Sequence, residues 1–183
     1  QNAFSMCTEC RKYYPEFRVS INLSYVQILK SPLMMELKQI IDHSGISCSG
    51  IIVELTESGY LEGTPAVRSV WNDMKQLRIQ IALDDFGTGY SNLMNISNLE
   101  PDIVKLDRGF TLKALSRSYE YQLMQYVIEM VHKLNQYVCV EGVETKEDLE
   151  KIKALGPDLI QGYYYSKPCS RDEFLKKFFD YSE

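Results

Sequence analysis

Histidine, tryptophan and long apolar runs are scarce in this 183-residue chain, which holds two histidines and one tryptophan. No apolar window is long enough to span a bilayer, and no signal-peptide pattern is present. Membrane contact is therefore not expected of this segment, and a cytoplasmic location is. Linkers, internal repeats and low-complexity stretches are also lacking, so residues 1–183 are expected to form a single domain. The five cysteines are odd in number and lack disulfide-like spacing, which fits a reducing compartment. Cys7 and Cys10 form one Cys-x-x-Cys. A zinc site needs two more ligands, and neither a second such pair nor a His pair exists, since His43 and His132 stand alone. The two thiols are expected one turn apart on an N-terminal helix, and Cys139 inside a strand. Basic residues do not predominate: 20 Lys and Arg face 25 Asp and Glu, a net charge of −5. A nucleic-acid polymer is not an expected partner. An anionic substrate would have to be met by metal ions or by a local cation.

The most informative stretch is IALDDFGTGYS, residues 81–91. A short apolar run ends in two adjacent carboxylates, Asp84 and Asp85, and a glycine-flanked turn follows. Adjacent aspartates repel, and their desolvation is costly. A divalent metal removes both objections, so the segment reads as a metal site at a strand mouth. A capped turn with no ligand is the plainer alternative. Asp85-Phe86-Gly87 spells a kinase triplet, but no Gly-rich nucleotide loop or His-Arg-Asp loop accompanies it.

Five other apolar runs stop at a polar group: RVSIN at Asn22, GIIVE at Glu54, DIVKLD at Lys105 and Asp107, VCVE at Glu141, and LIQ at Gln161. The sequence between them is helical in pattern. Alternating strands and helices imply a parallel sheet. Parallel strands that each deliver a polar residue at the C-terminal end describe the active face of a (β/α) barrel. The polar ends are 20 to 36 residues apart. An eight-unit barrel of roughly 250 residues allots about 31 to each unit. Six units are visible, so about two are expected before residue 1 by that allotment, and the chain reads as N-terminally truncated.

The helices carry start and stop signals. Ser31-Pro32 opens one with Leu33, Leu37, Ile40 and Ile41 on its apolar side and Gly45 near its end. Thr64-Pro65 opens the next, striped by Val67, Val70, Trp71 and Met74. The longest is predicted over Ser116 to Gln136, with Leu123, Val127, Ile128, Val131 and Leu134 facing inward. Thr145 caps a helix that stops before Gly156, and Ser170 with Glu173 makes a capping box for the last.

In this order, SINLS, VELTES, IALDDFGTGYSNL, DIVKLDRGF, VCVEGVET and IQGYYYSKP resemble the EAL domain family, from about residue 17 to the C-terminus. The resemblance implies an α/β, TIM-type (β/α)8-like barrel whose first strands, including the Glu-Ala-Leu strand, are missing here. It implies a metal-dependent phosphodiesterase that opens cyclic di-GMP to linear pGpG, using two Mg²⁺ or Mn²⁺ ions. Asn22, Glu54 and Asp84 resemble ligands of the first ion. Asp84 resembles a bridge to the second, with Asp85 and Glu141 nearby. Lys105 resembles the residue that orients the attacking water, with Glu141 a ligand, a general base or both. Gln161 resembles a supporter of the water network, and Asp107 lies close by. Glu57 and Glu144 resemble acids that hold the Asp-Phe-Gly-Thr-Gly loop. The family also implies a possible homodimer and an N-terminal sensor or cyclase-like domain.

Each position has a plain reading by itself. Lys105 could point to solvent, Glu54 could cap a helix, Gln161 could sit in an ordinary turn, and Glu141 with Glu144 could be a solvated acidic face. Six at successive strand ends are hard to treat as independent. The sequence contains no Glu-Ala-Leu stretch before Asn22. That stretch would supply a metal ligand and, just after it, a phosphate-contacting Arg. The 183 residues alone are therefore expected to be inactive or very weak. A non-catalytic receptor of cyclic di-GMP or of a protein partner is the main alternative, and a barrel phosphodiesterase for glycerophosphodiesters a third.

Overall fold

The computed structural model describes residues 2–29, 32–56, 65–88, 96 and 99–179. All six expected runs are strands: β1 Val19–Asn22, β2 Ile51–Thr56, β3 Gln80–Phe86, β4 Ile103–Leu106, β5 Tyr137–Glu141 and β6 Leu159–Gln161. They follow one another in chain order in a parallel sheet. Parallel neighbours need a crossover, and helices supply it. The described helices are α1 Asn2–Cys10, α2 Tyr25–Leu29, α3 Leu33–Ser44, α4 Pro65–Gln76, α5 Arg108–Ser116, α6 Ser118–Lys133, α7 Lys146–Lys153 and α8 Arg171–Phe179.

The chain forms two compact units. The first holds α1, β1, α2, α3, the start of β2, α4, the first two residues of β3, and α8. β1 and β2 pair in register there, with Asn22 opposite Glu54. In α3, Leu37 and Ile41 are buried one turn apart, and Gly45 closes the helix in the left-handed conformation. Pro65 is the first residue of α4, where its missing N–H costs nothing. Val67, Trp71 and Met74 are the buried stripe of that helix. Ser31 and Thr64, the expected openers of α3 and α4, lie outside the described residues. Cys7 and Cys10 are fully buried on α1, and burial pushes both thiols up from their ordinary value.

The second unit carries the end of β2, β3 from Ala82 onward, β4, α5, α6, β5, α7 and β6. Every residue of β4 is buried, as is usual for a strand covered on both faces. Thr145 accepts from the Asp148 N–H and Asp148 returns the bond, so α7 starts with a closed capping box.

The predicted helix over Ser116–Gln136 is corrected in two ways. It is observed as Ser118–Lys133, because Arg117 is extended (φ −139°, ψ 130°) and separates it from α5. Its inner face also turns differently. Met124, Ile128 and Val131 are buried, whereas Leu123 and Leu134 are 42% and 50% exposed. Burying each of the three inner side chains contributes about 1.5–3 kcal/mol, so they fix the rotation of the helix.

Candidate metal and phosphate site

The Asp84-Asp85 pair is seated in a β-bulge. β3 and β4 are in register at Leu83–Val104 and again at Phe86–Leu106. Asp84 and Asp85 together therefore face the single residue Lys105. A regular strand would send adjacent side chains to opposite faces. The bulge breaks that alternation, and Asp85 takes the strain in a left-handed conformation (φ 59°). The strand continues through Phe86, so the carboxylates lie inside β3 rather than at its end.

Lys105 is the pivot. It lies inside the fully buried β4 and is 5% exposed. Its Nζ donates to Asp84 Oδ1 at 2.9 Å and pairs with Glu141 Oε1 at 2.7 Å. The solvent-facing alternative for Lys105 is thereby excluded. Glu141 ends β5, in register with Gln161 on β6, so their backbones are neighbours. Burial pushes the Asp85 carboxyl above its ordinary value, and the charges of Asp84 and Asp107 add to this against the pull of Lys105. Asp107 receives the Gly109 N–H at 2.7 Å and so caps α5. Its own N–H donates to Phe86 O at 3.0 Å, tying the start of α5 to the end of β3.

Glu144 is paired with a residue that carries no expected role. Arg108, the first residue of α5, donates from Nε and Nη2 to Glu144 Oε1 at 3.2 and 2.7 Å. A Cβ on Gly142 (φ 81°) would stand 2.3 Å from Arg108 Cγ, so only glycine lets the arginine stem pass. A Cβ on Gly162 would stand 2.0 Å from Val143 O. Arg108, Glu141, Glu144, Gln161 and Tyr163 surround an open cleft of ≈ 350 Å³ floored by these two glycines. The signal for Arg108 was its place in DIVKLDRGF, one residue after a helix cap.

In the first unit, Glu54 is buried near the end of β2 and Asn22 is its register partner on β1. Glu54 is therefore a strand residue rather than a helix cap. Glu57, expected to support the loop, lies outside the described residues, as does most of the loop beyond Thr88.

Among the described residues no three His, Cys, Asp or Glu side chains form a ready cation cage. The donor chemistry nevertheless suits a hard divalent ion. The carboxylates of Asp84, Asp85 and Glu141 are all oxygen donors of the type Mg²⁺ and Mn²⁺ prefer. The raised proton affinity of Asp85 fits a partly buried group of acids whose repulsion an added cation would relieve.

Comparison with known proteins identifies the family and the fold. The EAL domain family model matches residues 1–168. The cyclic di-GMP phosphodiesterase PdeF of Escherichia coli (strain K12) is 30% identical over 168 residues, covering 92% of this chain and 22% of PdeF. The cyclic di-GMP phosphodiesterase NbdA of Pseudomonas aeruginosa is 27% identical, with 90% of this chain and 22% of NbdA covered. The chain thus spans about a fifth of the length of these two relatives. Among solved structures, the EAL enzyme Bd1971 with cAMP and cyclic di-GMP bound superposes with a TM-score of 0.89 at 27% identity, over 96% of this chain and 49% of that one. The cyclic di-GMP complex of the PaMucR phosphodiesterase gives 0.85 at 25% identity, over 94% and 70%. With its parallel strands alternating with helices, the chain has the α/β, TIM-like fold and belongs to the EAL domain family.

Proposed function

We propose that this chain is the catalytic module of a metal-dependent phosphodiesterase that hydrolyses cyclic di-GMP to linear pGpG. The observation that carries the proposal is Lys105, buried and paired with Asp84 and Glu141, opposite the bulge that holds Asp84 and Asp85. The relatives named as cyclic di-GMP phosphodiesterases support the choice of substrate.

Asn22, Glu54, Asp84, Asp85 and Glu141 are the proposed ligands of two Mg²⁺ or Mn²⁺ ions. When bound, the ions would supply Lewis acidity that acidifies a water and screens the scissile phosphate. Lys105 places a fixed positive charge where negative charge develops, in surroundings that exclude most water. Glu141 lies within reach of the same ammonium and is the proposed proton acceptor, a role it could combine with metal binding. Gln161, its register partner, is placed to orient water. Asp107 acts one step back by holding the start of α5. Glu144 acts through Arg108, and Glu57 through the loop.

The test is chromatography of cyclic di-GMP incubated with Mg²⁺ or Mn²⁺ and the full-length polypeptide that carries this sequence, with Lys105→Ala as control. Linear pGpG is expected from the unmodified protein, with a loss of at least about 100-fold in the variant. The 183 residues alone, which contain no Glu-Ala-Leu stretch before Asn22, should give little or no product. Retained nucleotide without hydrolysis by the full-length protein would overturn the enzymatic reading in favour of a receptor.

A further inference from the structure

Arg108 has an arrangement that a simple surface ion pair does not require. Its side chain is 57% exposed, yet its stem runs across Gly142 at a distance no other residue there would allow. Glu144 Oε1 takes the Nε–Nη2 edge of the guanidinium. The opposite end, Nη1, has no hydrogen-bond partner among the described residues. A guanidinium held by one edge is pre-oriented to offer its other donors to a second anion. Among the described residues that line the cleft, Arg108 is the one cation, the ionisable rest being Glu141, Glu144 and Tyr163. Lys105 is fully engaged with Asp84 and Glu141 and buried. Apart from the proposed metal ions, Arg108 is the lining side chain that offers a phosphodiester an attractive charge.

We infer that Arg108 is a substrate-binding residue that receives a phosphate of the cyclic dinucleotide through its Nη1 end, with Glu144 as its positioning residue. This rests on the phosphodiesterase reading above, and it assigns to the Arg108–Glu144 pair a role in affinity rather than in the chemical step. Glu144 costs some of the charge but fixes the fork, so that less side-chain freedom is lost when the phosphate arrives. Because the fork contacts ground state and transition state alike, its loss should appear in KM and not in kcat.

The experiment is steady-state hydrolysis of cyclic di-GMP in Mn²⁺ by the full-length polypeptide, paired with binding of fluorescent cyclic di-GMP in EDTA, where turnover stops. Arg108→Gln should raise both KM and Kd by about 10- to 100-fold, as expected for a hydrogen-bonded charge, and leave kcat within about twofold. Arg108→Lys should recover part of the affinity by restoring charge without the fork. Glu144→Gln should raise KM by less than Arg108→Gln does. Equal KM and Kd for Arg108→Gln and the unmodified enzyme would overturn the assignment and leave the phosphodiesterase standing. A fall in kcat at unchanged KM would overturn it too, by moving Arg108 into the chemistry. An unmodified protein that neither binds nor hydrolyses the dinucleotide would remove both readings at once.

Discussion

Asp85, a proposed metal ligand, sits in surroundings that oppose folding. It is bent into the left-handed region, desolvated, and set beside Asp84 and Asp107. Its raised proton affinity has a definite sign for stability. A carboxyl that holds its proton more tightly when folded favours the fold most below the ordinary value of 3.8, and loses that contribution as pH rises through the folded-state value. Asp85→Asn keeps a residue that tolerates the left-handed backbone and removes the charge. In EDTA it should therefore melt above the unmodified chain at neutral pH, and the gap should close as the buffer is taken below pH 4. The same change should weaken Mn²⁺ binding in titration calorimetry by at least about 10-fold, since losing even an indirect support of a metal costs that much. A lower melting temperature for Asp85→Asn at neutral pH would show that its carboxylate is stabilising.

The elements β3, β4, β5 and α5 together set the chemistry of the second unit. The bulge in β3 sets two aspartates opposite one lysine, of which Asp84 pairs with it, and the parallel register puts Glu141 beside Gln161. α5 begins immediately after β4, so its cap Asp107 and its first residue Arg108 follow the strand that delivers Lys105. The loop after β5 must pass the Arg108 stem, and Gly142 makes that passage possible. Gly142→Ala introduces both a strained backbone (φ 81°) and a Cβ 2.3 Å from Arg108 Cγ. It should cost about 1–3 kcal/mol in urea denaturation from the backbone alone and push Arg108 off Glu144. Wild-type stability in this variant would mean that the β5–α7 connection shifts freely.

At the scale of the whole molecule, carboxylates outnumber cations, and a bound divalent ion should act as a stabilising ligand. Binding to the folded chain alone adds about 2.7 kcal/mol when the free ion is 100 times its Kd. The melting temperature should accordingly rise with Mn²⁺ concentration and then level off. Asp84→Asn should abolish that rise while leaving the melt in EDTA visible. A Mn²⁺-independent melting temperature in the unmodified chain would remove the metal site. No described helix is long and apolar enough to cross a membrane.

Residue order alone determined the six strands, the helices between them and the polar ends that announce the site. The reason is that short β-branched runs and helical stripes are local patterns, and burial of each depends mainly on its own alternation. The closed box of Thr145 with Asp148 and the glycine end of α3 are equally local. Tertiary structure decided what depends on partners far along the chain. Arg108 and Glu144 are 36 residues apart, and neither signals the other. The doubling of Asp84 and Asp85 against Lys105 is a property of two strands in register, which no single strand displays. Ile128 and Val131 of the expected stripe are buried, whereas Met124 takes the inner place expected of Leu123 and Leu134 is half-exposed, because which edge of an apolar stripe is covered depends on what packs against the helix.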